Sequence, residues 1–133
     1  MARVLVTGAS GFVGRHCLLQ LVGRAHEVHA VSSKAFDATD RLTSKAEWHK
    51  TDLLDAAQVA RLMSEVKPTH LLHLAWYTIP GTYWTAAENL TWVRASIDLL
   101  RLFVEHGGKR VVTAGTCAEY DWTSGVCSKS LRT

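Results

Sequence analysis

The chain has 133 residues, 47% hydrophobic and 20% charged, and its 15 Lys and Arg against 12 Asp and Glu give a formal charge of +3. This suits one globular domain with a single core. The basic residues are scattered, and no apolar run approaches the roughly 20 residues of a membrane-spanning helix, so neither nucleic acid nor a membrane is expected as a partner.

Arg3–Thr7 reads as a first strand, apolar enough to be buried on both faces. A helix is expected from Gly11 to about Arg24, with Val13, Cys17, Leu18, Leu21 and Val22 turned to the sheet. His26–Ser32 is a second strand, Ser33–Ala46 a polar loop, and Glu47–Lys50 a short third strand. Asp55 is a good N-cap for a helix to Lys67, where Val59, Leu62, Met63 and Val66 form the stripe and Pro68 stops it. Thr69–Ala75 is strand four, followed by an aromatic loop (Trp76, Tyr77, Tyr83, Trp84) with a Pro80-Gly81 turn. A long helix is expected from about Tyr83 to His106, ending at Gly107-Gly108, then strand five at Lys109–Ala114. The residues after Thr116 show no pattern.

This alternation predicts an α/β fold, a doubly wound parallel Rossmann-like sheet in the order 3-2-1-4-5 with its ligand crevice between strands one and four. No helix follows strand five in the pattern, so the expected domain is incomplete on that side, with an open sheet edge. The three cysteines (Cys17, Cys117, Cys127) are odd in number and form no C-x-x-C pair, which fits thiols in a reducing cytoplasm. The N-terminus enters a strand directly and does not read as a signal peptide.

The chemistry centres on Thr7-Gly8-Ala9-Ser10-Gly11-Phe12-Val13-Gly14-Arg15. Gly8-x-x-Gly11-x-x-Gly14 is a variant of the dinucleotide fingerprint, here between a strand and a helix. Gly8 makes the sharp turn, Gly11 admits a pyrophosphate, and Gly14 lets helix and strand pack closely. The helix N-terminus supplies N–H groups and a positive dipole end. At the end of strand two, Ser32-Ser33-Lys34 has no acid until Asp37. Hydroxyls and a cation, with Arg15 nearby, suit a 2′-phosphate, so NADP is expected and NAD is the alternative. The pairs His26/His29 and His70/His73 stand three apart on strands and point to opposite faces, so no metal site is expected from them. In the long helix Leu90, Val93, Ile97, Leu100 and Val104 form one apolar stripe, and Trp92, Ser96, Leu99 and Phe103 a second. That width exceeds what one sheet face needs and suggests a helix-helix dimer or packing under the aromatic loop.

The wording Thr7–Gly14 also resembles the extended short-chain dehydrogenase/reductases, the NAD(P)-dependent epimerase/dehydratase family acting on nucleotide sugars. The resemblance implies that Asp52-Leu53 lies along the adenine; an Asx turn into the next helix is the alternative for Asp52. It implies that His73-Leu74-Ala75-Trp76 passes the middle of the cofactor; His73 itself is read as structural, since a lone strand histidine is more often a satisfied core residue than a catalyst. It implies that Asn89 bonds the backbone of strand four, and that Thr116, four residues before Tyr120, is the catalytic hydroxyl that bonds the substrate oxygen, with Glu119 near the sugar. The family's Tyr-x-x-x-Lys proton-transfer pair is not found in these 133 residues. The expectation is therefore the cofactor-binding, N-terminal portion of a cytoplasmic nucleotide-sugar epimerase, dehydratase or reductase, without its substrate domain. The alternatives are a non-catalytic dinucleotide-binding module and a flavodoxin-like phosphate binder.

Overall fold

The computed structural model describes residues 1–34, 45–123 and 125. The elements are β1 (Arg3–Thr7), α1 (Phe12–Gly23), β2 (Glu27–Ser32), β3 (Glu47–Lys50), α2 (Ala56–Val66), β4 (His70–His73), α3 (Glu88–Glu105) and β5 (Arg110–Thr113), with a 3-10 turn at Cys117–Glu119. All pairings are parallel, in the order β3-β2-β1-β4-β5. This is the expected doubly wound sheet. Most of the expected polar loop, residues 35–44, and Cys127 lie outside the described residues.

The pleat divides the core in two. Val4 and Val6 of β1, with Val28 and Ala30 of β2, meet Leu18 of α1. Leu5, Val31 and Leu71 face the other way, onto Val59, Leu62 and Met63 of α2 and Leu99 and Phe103 of α3. Fully burying one such Leu or Phe contributes about 1.5–3 kcal/mol. Helix α2 starts where its sequence says: Asp55 accepts from Ala57 N and Gln58 N. The Gln58 side-chain hydrogen bond, then its backbone N–H, hold the Asp55 carboxyl below the ordinary carboxylate range.

Four expectations change. Val13 does not face the sheet; it is 56% exposed beside the first turn of α1. Helix α3 begins at Glu88 rather than Tyr83, because the Asn89 side chain donates to Tyr83 O at 2.7 Å and turns built on Ile79 and Thr82 carry the chain up to it. Strand β4 ends at His73 rather than Ala75, because Leu74 N and Ala75 N turn to the Thr7 hydroxyl. Of the two α3 stripes, Leu99 and Phe103 are buried, whereas Leu90, Val93, Ile97 and Val104 are exposed. On the far edge β5 pairs with β4 alone, and its Val112 is 54% exposed, so the edge is open among the described residues.

Candidate functional site

The site is built at the carboxyl ends of β1, β2 and β4, where α1 begins. Gly8 sits at φ +66°, and a Cβ there would stand 2.9 Å from Ala75 N. Both the conformation and the space demand glycine. A Cβ on Gly14 would lie 2.2 Å from Gly8 O, so the first turn of α1 rests directly on the β1–α1 turn. Gly11 is the N-cap, no side chain caps the helix, and no acid stands in its first turn. The N–H groups of that turn have no intrahelical acceptor and, with the dipole, favour an anion.

Above this turn lies a cleft of about 660 Å³. Gly8, Ser10, Gly11, Phe12, Val13 and Gly14 form its floor. Ser32 and Ser33 line it from β2, Asp52 and Leu53 from the end of β3, and Leu74, Ala75 and Trp76 from the end of β4. Val31, Thr51, Leu54, Thr78 and Trp92, which are not among the residues expected from the sequence, also line it. Thr51 is legible in the sequence: it follows strand three directly and precedes Asp52, and its N–H donates to Ser32 O at 2.9 Å. Trp92 is not, since only the packing of α3 brings its ring 6.2 Å from that of Trp76. Asp52 is the only acid among the described lining residues, and its Oδ1 accepts from Leu54 N at 2.9 Å. The Asx turn and the cleft position thus hold together. At the end of β2 the Ser10 and Ser32 hydroxyls stand 3.3 Å apart, and Lys34 N donates to Ser32 Oγ.

Thr7 does not line the cleft but braces it from below. Its Oγ1 accepts from Leu74 N at 3.1 Å and Ala75 N at 3.3 Å, and lies 2.6 Å from His73 Nδ1. Two donors fill the hydroxyl's lone pairs, so its own proton goes to Nδ1. His73 therefore carries its proton on Nε2 and donates to Ser96 Oγ at 2.9 Å. Burial pushes the His73 pKa below its ordinary value, which matches a neutral ring. The chain Thr7–His73–Ser96 ties β1, β4 and α3 together beneath the cleft.

Three other expected residues lie outside the lining. Arg15 is exposed on α1, its Nε donating to Ser10 O at 3.0 Å. Lys34 is exposed past Ser33. Thr116 is exposed beyond β5, on the same sheet edge, and its N–H donates to Glu119 Oε1 at 3.0 Å. The expectation for Asn89 is corrected: it does not reach the strand-four backbone. It accepts from the Trp76 indole at 3.0 Å and donates to Tyr83 O, because the Trp76–Trp84 loop folds back over the start of α3.

A doubly wound parallel sheet with an uncapped glycine turn at its switch point defines a Rossmann-type dinucleotide-binding fold. The model of the NAD dependent epimerase/dehydratase family matches residues 4–131, and the chain belongs to that family. It is 24% identical to UDP-glucose 4-epimerase 2 of Arabidopsis thaliana over 90% of this chain and 37% of that protein. It is 27% identical to dTDP-6-deoxy-L-talose 4-dehydrogenase (NAD(+)) of Aggregatibacter actinomycetemcomitans, over 92% of this chain and 44% of that protein. Among solved structures, the UDP-glucose 4-epimerase complex with NAD from Thermus thermophilus superposes with a TM-score of 0.79 at 25% identity, covering 96% of this chain and 42% of that one. The chain thus spans about two fifths of the length of these relatives. Among the described residues no helix is long and apolar enough to cross a membrane.

Proposed function

We propose that this chain is the cofactor-binding part of an NAD(P)-dependent enzyme that moves hydride at a carbon of a nucleotide sugar. The observation that carries the reading is the β1–α1 turn. Cβ atoms at Gly8 and Gly14 would strike backbone at 2.9 and 2.2 Å, beneath a helix start with no capping side chain and no acid. The first-turn N–H groups hold a pyrophosphate. Asp52 and Leu53 run beside the adenine, and Leu74, Ala75 and Trp76 beside the ribose and pyrophosphate. Asn89 keeps Trp76 in place through its indole N–H.

Nicotinamide held in this cleft would supply hydride transfer to and from the sugar carbon. The exposed Thr116 hydroxyl donates to the substrate oxygen on which charge develops. Ser32, Ser33, Lys34 and Arg15 favour the 2′-phosphate of NADP, since cations and hydroxyls attract it and the acid lining the cleft, Asp52, is already turned to Leu54 N. The alternative is NAD, named for the Thermus epimerase complex and the talose dehydrogenase. The exposed stripe of α3, with Leu90, Ile97 and Val104 at 77%, 60% and 68%, is the surface for a second copy of the chain. The cysteine usage favours a cytoplasmic location.

Titration of the chain with NADPH and NADH, followed by nicotinamide fluorescence, tests this. NADPH is expected to bind more tightly, and Lys34→Glu to reverse the preference. Absence of binding to either, in a chain that is folded by circular dichroism, would overturn the cofactor assignment. Equal binding of both leaves the turn assigned and removes the preference for NADP.

A further inference from the structure

Along the β2–β3 pairing, outside the lining of the cleft, the sheet brings together polar groups that the fold alone does not require. Register places Glu47 opposite His29, and His49 opposite Val31, so His29, Glu47 and His49 share one face of the sheet. His29 Nδ1 stands 2.9 Å from His49 Nε2. The Glu47 carboxylate is 3.7 Å from His29 Nδ1 and 3.8 Å from His49 Nε2. The imidazoles are well covered, with side-chain exposures of 7% and 16%, while Glu47 at 69% opens to solvent along the edge strand.

A second carboxylate stands behind the first ring. His29 Nε2 is 3.1 Å from Glu27 Oε1, and that oxygen also accepts from Arg3 Nε at 2.8 Å. A carboxylate at Nε2 holds the proton there, leaving the Nδ1 lone pair directed at His49. Carboxylate, imidazole and ion in line is the arrangement by which proteins orient a metal-binding histidine.

We propose that His29 Nδ1, His49 Nε2 and the Glu47 carboxylate form a site for a divalent first-row transition cation of the zinc type, with Glu27 orienting His29. Two imidazoles and a carboxylate suit zinc, and three protein ligands leave a fourth position for water. Around a tetrahedral zinc with bonds near 2.0–2.1 Å, neighbouring donor atoms lie about 3.3 Å apart. The two nitrogens stand 2.9 Å apart, Glu47 Oε2 lies 3.7 Å from the first and Oε1 3.8 Å from the second, and one donor atom from each residue lies within 4.8 Å of the others, so seating an ion needs rotation of the rings and of an exposed carboxylate to bring one oxygen to both. Without an ion, His49 Nε2–H donates to His29 Nδ1. With one, that proton moves to His49 Nδ1 and both rings stay neutral. The ion staples edge strand β3 to β2, which the within-strand pairs His26/His29 and His70/His73 could not do.

The test uses Co²⁺ as a spectroscopic probe on the intact chain, with Zn²⁺ competition and Zn²⁺-dependent thermal unfolding. One equivalent of Co²⁺ is expected to give the intense visible bands of four-coordinate cobalt, with Zn²⁺ bleaching them and raising the unfolding midpoint. Glu47→Gln changes an exposed side chain and keeps its shape. It is expected to weaken binding by at least the ~10–100-fold that loss of an orienting partner costs. His49→Gln is expected to abolish it. Absence of the bands, equal affinity in wild type and Glu47→Gln, or a thiolate-to-cobalt charge-transfer band from the cysteines would each overturn the proposal.

Discussion

Gly14 and Gly23 lie in one helix and respond oppositely to the same change. A Cβ at Gly14 would stand 2.2 Å from Gly8 O and 2.8 Å from Ala9 Cα, both backbone atoms of the turn beneath it. To restore ordinary contact, α1 must lift from that turn by about 1 Å, an overpacking that costs about 1–3 kcal/mol. Alanine recovers roughly 0.5–1 kcal/mol of that through its better helix propensity. Gly14→Ala is therefore expected to lose about 1–2 kcal/mol net, a fall in Tm of roughly 3–8 °C for a chain of this size. A Cβ at Gly23 meets nothing within 4 Å, so Gly23→Ala gains propensity without a clash and is expected to leave Tm unchanged or higher. Thermal unfolding by circular dichroism reads both variants. Lifting α1 also misaligns its first-turn N–H groups, so NADPH affinity should fall with stability in Gly14→Ala and stay unchanged in Gly23→Ala. A Gly14→Ala protein as stable as wild type, or two variants that shift alike, would refute the close-packing argument.

Thr7→Val keeps the shape of the side chain and removes the oxygen that receives Leu74 N and Ala75 N and the proton that reaches His73. Stranding buried polar groups costs about 1–3 kcal/mol, readable in urea unfolding. Lys67 ends α2 in the left-handed region at φ 46°, ψ 59°. Lys67→Gly should stabilise the chain by about 1 kcal/mol by relieving that conformation, and an unchanged urea midpoint would contradict this. Burial lowers the His73 pKa from its ordinary 6.5 in the folded state, so as pH falls through that value the unfolded chain takes up the proton first. The contribution of His73 is thus full above pH 6.5 and lost below it, towards the lower folded value. Urea midpoints of wild type and His73→Gln, compared between about pH 7.5 and 5.5, should draw together on the acid side.

The sequence by itself determined the elements and their order. Strand, glycine turn and helix follow from local rules, as does the Asp55 cap, because backbone conformation and capping depend on neighbours within a few residues. The same locality placed Gly8, Gly11 and Gly14 at one turn, and the end of β2 beside it follows from the right-handed crossover. Tertiary structure alone decided which α3 stripe is buried, since both stripes are apolar and only the α2 and sheet contacts distinguish them. It decided that Asn89 holds Trp76 and Tyr83, which delays the start of α3. It made the Thr7–His73–Ser96 chain, whose partners are 66 and 23 residues apart. It also set the β2–β3 register that joins His29 to Glu47 and His49, across an interval that a strand's two-residue period cannot span. Periodicity fixes which way a side chain points on its own element; only the packed sheet fixes what it meets there.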